Sequence, residues 1–465
     1  MSFLVCIAAL AFLMFVAYRG FSVILFAPIA ALAAVLLTDP SLVLPVYSGL
    51  FMEKMVFFVQ NYFPVFLLGA LFGKVIEMSG FARSIVSAVI RMVGRERAVL
   101  SIVLVGALLT YGGVSLFVVV FAVYPFAAEM FRQGNLPKRL IPGTIALGAF
   151  TLTMDSLPGT PQIQNVIPTS FFKTDIYAAP ILGTIGGLFI LVAGVSYLQW
   201  RIRQAEAVGE GYGTGHTQEP EIISDEPTVN AAVAIMPLFV VGIMNLVFTK
   251  LVFPTFYPNP TAEVVLPGLA KPITLTVKAL IGIWSVEVAL VLGILTVVVF
   301  SFRNIAGKFA EGSKNAIAGS LLASMNTATE YGFGAVIAAL PGFIVIKEAL
   351  QAIPNPLVNE AITVTTLAGI TGSASGGMGI ALAAMANQFI AAANAAHIPL
   401  EVLHRVAAMA SGGMDTLPHN GAVITLLAVT GLTHRQSYKD IFAITCIKTS
   451  AVFVVILVYY LTGLV

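Results

Sequence analysis

Apolar runs of near-membrane length constrain this chain more than any other feature. Phe3–Ala17, Val23–Leu37, Ile181–Tyr197, Ala231–Val247 and Ala451–Leu464 are examples, and about 20 helical residues cross a bilayer. Of 465 residues, 58% are hydrophobic and 10% charged, where a soluble domain has about a quarter charged. The reading is an all-α polytopic membrane protein. The first run lacks a basic leader and an A-x-A site before Tyr18-Arg19-Gly20, so it reads as a retained first helix. Cys6 and Cys446 lie in apolar runs and point to neither a disulfide framework nor a metal site.

One stretch has the composition of a solvated linker, "RIRQAEAVGEGYGTGHTQEPEIISDEPT" at Arg201–Thr228. It cannot build a core and is expected to be a flexible cytoplasmic loop. It divides the chain into an N-terminal half (1–200), a linker (201–229) and a C-terminal half (230–465). A weakly polar stretch, Phe253–Lys278, is expected at the opposite surface. With the linker inside, 17 of the 24 Lys and Arg fall at the inner side, Lys448 among them. The outer seven include Arg405. That bias obeys the positive-inside rule and puts both termini outside.

The chain also repeats itself. "MDSLP" at Met154–Pro158 returns as "MDTLP" at Met414–Pro418, 260 residues later. The same offset brings "YGGVS" (Tyr111–Ser115) onto "TGSAS" (Thr371–Ser375). A short polar turn lies between the matches in each half, "GNLPKRL" (Gly134–Leu140) and "AHIPLEVL" (Ala396–Leu403). Threaded as above, one hairpin opens from the inside and the other from the outside. Paired interrupted segments in an inverted-topology repeat point to a secondary transporter with its site at the midplane.

Backbone that leaves helical geometry in a membrane must line a cavity or be buried in protein. The Gly/Ser-rich stretches near 110–117 and 371–378 therefore read as tips of re-entrant hairpins. Close packing of helices through small residues is the plainer alternative. At the tips, Gly112, Gly113, Gly372 and free N–H groups at half-helix N-termini would receive an anion, with Ser115, Ser373 and Ser375 adding hydroxyls. The breaks at 154–165 and 414–425 add Ser156, Thr160, Gln162, Thr416, His419 and Asn420, where Pro158 and Pro418 interrupt backbone bonding. Asp155 and Asp415 either carry a proton or cap the broken helices, since intramembrane acids are usually functional. Glu330 rivals them as a proton carrier. Glu287 reads as a scaffold residue in an interface hydrogen bond. Neither break contains Lys or Arg, which favours a small monoanion held by dipoles and hydroxyls. No Walker A motif, metal-ligand cluster or nucleophile–base pairing occurs, so neither ATP-driven transport, enzyme chemistry nor a cofactor is expected, and no nucleic acid.

"TYGGVSLFVVVFAVYPFA", "MDSLPGTPQIQNVIPT", "TGSASGGMGIALAAMANQF" and "MASGGMDTLPHNGAVITLL" together resemble the gluconate:proton symporter (GntP) family, in the ion transporter superfamily, over nearly the whole chain. The resemblance implies proton-coupled uptake of a small hydroxycarboxylate across the bacterial inner membrane. It also implies a homodimer whose protomers have a scaffold domain and an elevator-type transport domain, with the hairpin tips and breaks named above as the site. "SLPGTPQIQN" departs from the gluconate permeases and is closer to the branch labelled β-hydroxybutyrate permease. Phe117, Met378 and Leu157 flank the site, which offers few hydroxyl partners and leans to a short-chain hydroxy or keto acid. The "SNT" tips of sodium-coupled relatives are absent, which favours protons. A sodium-coupled symporter and an uncoupled anion channel or exchanger are the alternatives.

Overall fold

The structure, a computed structural model, describes every residue except 1, 20, 95–96, 115, 217–218, 221–228, 269, 346–352 and 419, and the side chains of 14, 17, 18, 117, 278 and 279. Two expected site residues, Ser115 and His419, lie outside the described residues.

The apolar runs form helices. In order these are α1 (Ser2–Tyr18), α2 (Val23–Thr38), α3 (Pro40–Met78), α4 (Phe81–Val93), α5 (Ala98–Tyr111), α6 (Leu116–Gln133), α7 (Ile141–Ala149), the single turn α8 (Leu152–Asp155), α9 (Ile163–Phe172) and α10 (Pro180–Ala207). After the linker come α11 (Ala231–Phe256), α12 (Val277–Ala306), α13 (Phe309–Ala339), α14 (Pro356–Thr371), α15 (Ala374–Ala395), α16 (Leu400–Gly412), α17 (Gly421–Thr430) and α18 (His434–Thr462). Six spans among the described residues are long and apolar enough to cross a membrane: α3, α10, α11, Leu280–Ala306 of α12, α15 and α18. The chain is a multi-pass membrane protein.

Elements repeat in the order the sequence repeats. The hairpin α5–α6 corresponds to α14–α15, α7–α8 to α16 and its following 3₁₀ turn Gly413–Thr416, α9 to α17, and α10 to α18. Turn geometry repeats as well. Asn135 and His397 take φ of 48° and 56° in matching turns, and Lys173 and Gly431 take 55° and 65° after α9 and α17. A non-glycine residue with positive φ is uncommon, so its recurrence at equivalent positions is a property of the repeat.

Small residues bring the long helices onto the breaks. Along α10, Gly183, Gly186, Gly187 and Gly194 lie on the buried face with Ile190 and Leu198, while Ile181, Leu188 and Val192 face outward. A Cβ on Gly183 would lie 2.3 Å from the Ser156 carbonyl oxygen. Only glycine permits that approach.

Two expectations need correction. Within Phe253–Lys278, Thr261–Val264 and Ile273–Thr276 pair antiparallel as β1 and β2, one short hairpin in a mostly helical fold. β-branched residues on either side of a Pro-Gly segment (Thr261, Val264 and Val265, then Ile273, Thr274 and Thr276) carried that signal. The described part of the linker is also partly helical and bonded to the rest of the chain. Residues 201–207 continue α10. Glu210 is bidentate to Arg139 at 2.6 and 2.8 Å, the Tyr212 amide donates to Asn135 Oδ1 at 3.1 Å, and Glu219 meets Lys138 at 2.7 Å and Arg132. Opposite charges at the end of α6 and just ahead of α7 hold the described residues 210–219 in place.

Candidate functional site

Each hairpin tip is tied to the break of its own half. At the first tip Gly113 has φ +94° and faces Pro161, and the Gln162 amide donates to the carbonyls of Thr110 (2.8 Å) and Val114 (3.4 Å). The Tyr111 hydroxyl donates to the Pro158 carbonyl at 2.8 Å. At the second tip Gly372 has φ +69°. Asn420 donates to its carbonyl at 2.7 Å and caps α17 by accepting the Ala422 N–H at 2.7 Å. The Pro418 carbonyl accepts from His434 Nε2 at 2.8 Å. In each half an aromatic side chain thus binds the break proline's own carbonyl.

The two aspartates do different work. Asp415 is buried and accepts three donors: the Ala374 amide at the start of α15 (3.0 Å), Gln164 Nε2 (2.8 Å) and Asn420 Nδ2 (3.3 Å). It caps the second hairpin and joins the halves through Gln164. Asp155 is fully buried and sits 2.6 Å from Lys448 Nζ, and its other oxygen accepts the Ser156 hydroxyl at 2.8 Å. Asp155 is thus half of a buried ion pair.

Lys448 and Arg405 correct the sequence reading. Sequence threading put them at the inner and outer surfaces, yet their side chains are 1% and 0% exposed. Arg405 donates to the carbonyls of Asp155 (2.6 Å) and Ala178 (2.7 and 3.2 Å) and to Asn165 Oδ1 (3.0 Å). His404 bonds Thr174 Oγ1 at 2.6 Å and Asn165 Oδ1 at 3.2 Å. The break motifs lack a cation because α16 and α18, far away in sequence, supply it. A charge inside an apolar run was the available signal for Lys448.

Glu330, on α13, lies against the second tip. Its Oε2 is buried without a hydrogen-bond partner, and a Cβ on Gly376 would come within 1.5 Å of it. The Ser373 hydroxyl faces this carboxyl and accepts the Gly376 N–H at 3.1 Å, capping α15. Ser375 Oγ is 3.3 Å from Thr327 Oγ1 and 3.4 Å from Ser373 Oγ. Gln164 Oε1 is a second buried oxygen without a partner. The first tip has an apolar wall instead, since Gly112 and Gly113 pack on Leu238 of α11 and Leu290 of α12.

The remaining expected residues form internal bonds. Thr160 donates to the Thr153 carbonyl at 2.6 Å. Thr416 donates to the Gly413 carbonyl at 2.9 Å and lies 2.7 Å from Thr445 Oγ1. Glu287 is partly exposed on α12 and, among the described residues, lacks the expected hydrogen bond.

No protein-family model matches the sequence. The chain is 61% identical over 474 residues to the uncharacterized transporter YxjC of Bacillus subtilis (strain 168), covering 100% of both proteins. The YdaH transporter of Alcanivorax borkumensis, solved by crystallography with an unusual topology, matches at TM-score 0.50 and 13% identity over 89% of this chain and 88% of its own. MtrF of Neisseria gonorrhoeae, from a class of antimetabolite efflux pumps, matches at TM-score 0.53 and 13% identity over 88% and 83%. At those identities the likeness concerns the fold. Identity of 61% over the full length decides kinship: the chain belongs to the transporter family of YxjC.

Proposed function

We propose that the protein is a proton-coupled secondary transporter that imports a small hydroxycarboxylate, such as 3-hydroxybutyrate or gluconate, across the bacterial inner membrane. Its two halves act as an inverted repeat. The hairpins, α7–α10 and α16–α18 form a moving unit against a scaffold of α1–α4 and α11–α13, in a homodimer of the kind the gluconate:proton symporter resemblance implies. The observation that carries the reading is the pair of orphaned oxygens, Glu330 Oε2 and Gln164 Oε1. Buried polar atoms are nearly always paired, so two unpaired oxygens around the second tip mark a place where a proton and a substrate hydroxyl would bind. Asp155 is engaged by Lys448 and Asp415 by three donors. Of the three acids expected at the tips and breaks, that leaves Glu330 as the carboxyl that takes up the proton. The hydroxyls of Ser373, Ser375 and Thr327 beside it also suit sodium, which is the second reading.

Uptake of labelled 3-hydroxybutyrate and gluconate into proteoliposomes, with a pH gradient and no sodium, tests this. Accumulation is expected to follow the gradient. Glu330→Gln is expected to abolish gradient-driven accumulation while leaving exchange of labelled for unlabelled substrate. Uptake that requires sodium and ignores the pH gradient would overturn the proton assignment.

A further inference from the structure

We propose that Lys448 is a built-in cation, standing where a free monovalent cation would otherwise be needed to neutralise the first break. The proposal rests on the reading of the breaks as the transport site. Its ammonium is 2.6 Å from Asp155 Oδ2 and 2.9 Å from the Phe150 carbonyl oxygen. The contact to Asp155 is an ion pair, and the Phe150 carbonyl accepts a hydrogen bond from the same ammonium. One carboxylate oxygen plus one carbonyl freed by unwound backbone is the kind of ligand set that broken helices offer an alkali ion. Phe150 follows the last residue of α7, so the negative end of that helix also points at the ammonium.

The seat leaves no room for anything else. A Cβ on Gly412 would lie 1.6 Å from Asp155 Oδ2 and 2.4 Å from Lys448 Nζ. The "GG" ahead of the second M-D-x-L-P is therefore the wall against which a pair from the first break and α18 is seated. The repeat places Leu188 opposite Lys448, half exposed on the outer side of α10. Among the described residues Asp415 makes no ion pair, and N–H donors contact it directly instead. The charge at the first break is thus supplied by the chain and travels with it, which removes one requirement for a bound metal ion.

Lys448→Ala tests this, with thermal stability in detergent and proteoliposome uptake as readouts. Removing one partner of a buried pair strands the other charge, so sodium-free uptake is expected to fall by about tenfold or more. Sodium or methylammonium is expected to raise the melting midpoint of the variant and to recover uptake, with no such dependence in the wild-type protein. Asp155→Asn/Lys448→Ala, which has no carboxylate to neutralise, is expected to melt independently of both cations. Where Lys448→Ala does not fold, either cation added during solubilisation is expected to recover it. Sodium-free uptake intact in Lys448→Ala, or a melting midpoint or folding yield no more cation-dependent than that of the double variant, overturns the proposal. The melting readout needs no substrate. Failure of wild-type uptake would count against the carboxylate reading and leave the cation result to be judged alone.

Discussion

The two breaks carry the same five-residue motif and are stabilised in opposite ways. The first is bound by cations from the other half: Lys448 on Asp155, and Arg405 on the Asp155 carbonyl and Asn165. The second is bound by neutral donors, with Asp415 held by a backbone amide and two side-chain amides. The tips differ in a complementary sense. Leu238 and Leu290 wall the first, while Glu330 and Thr327 line the second. A repeat thus preserves backbone geometry while the side chains that reach it diverge. The first break carries a buried ion pair, and the second carries a carboxylate held by N–H donors.

Stability should separate the breaks most clearly. Asp155→Asn or Lys448→Met alone leaves a buried charge without its partner, and a loss of about 3–5 kcal/mol is expected. The double variant Asp155→Asn/Lys448→Met removes both charges and should recover most of that loss, because a buried pair replaced as a unit is often near neutral. Melting of the detergent-solubilised protein gives the order. Equal stability for the single and double variants would show that the anchor is not electrostatic.

Asp415→Asn should cost less, about 1–2 kcal/mol. The amide keeps an oxygen for Ala374 N–H and Asn420, which share Oδ1, but opposes one donor with another at Gln164. Asp415→Ala also removes the cap on the second hairpin, adding about 1 kcal/mol. If Asp415→Asn proved more damaging than Asp155→Asn, the contrast between a charged and a neutral break would be lost.

The backbone of this arrangement was legible in the sequence because it is local. Hydrophobic run lengths gave the helices, and glycine, proline and the M-D-x-L-P repeat marked where they stop. The partners of the breaks were not legible. Lys448 meets Asp155, and Arg405 meets Asn165, across hundreds of residues, and no spacing rule connects them. Gln162, expected to face a ligand, instead ties the first tip to its break, while Gln164 two positions on crosses to Asp415. Which of three neighbouring amides points where depends on the helix phase after the break, which side-chain type does not specify.

The turns ahead of the breaks extend the contrast with the smallest effect. In the first half Arg139 grips Glu210 of the linker, whereas no ion pair among the described residues touches the matching turn around His397. The bidentate Arg139 bond holds the Glu210 carboxyl below the ordinary glutamate value of about 4.5. A depressed native value means the clamp stabilises above the unfolded value and is lost as pH falls through the native one. Glu210 is 37% exposed and Arg139 24%, so solvent screens the pair and it contributes under about 1 kcal/mol. The Tyr212 amide, bonded to Asn135 beside this pair, reports on it. Glu210→Gln should speed its hydrogen exchange by up to about fivefold at neutral pH, and the difference from wild type should shrink as the medium is acidified. The turn at 396–399 should show no such step. A matching step there, or an unchanged Tyr212 amide, would mean that charge does not hold the linker down and that the asymmetry stops at the breaks.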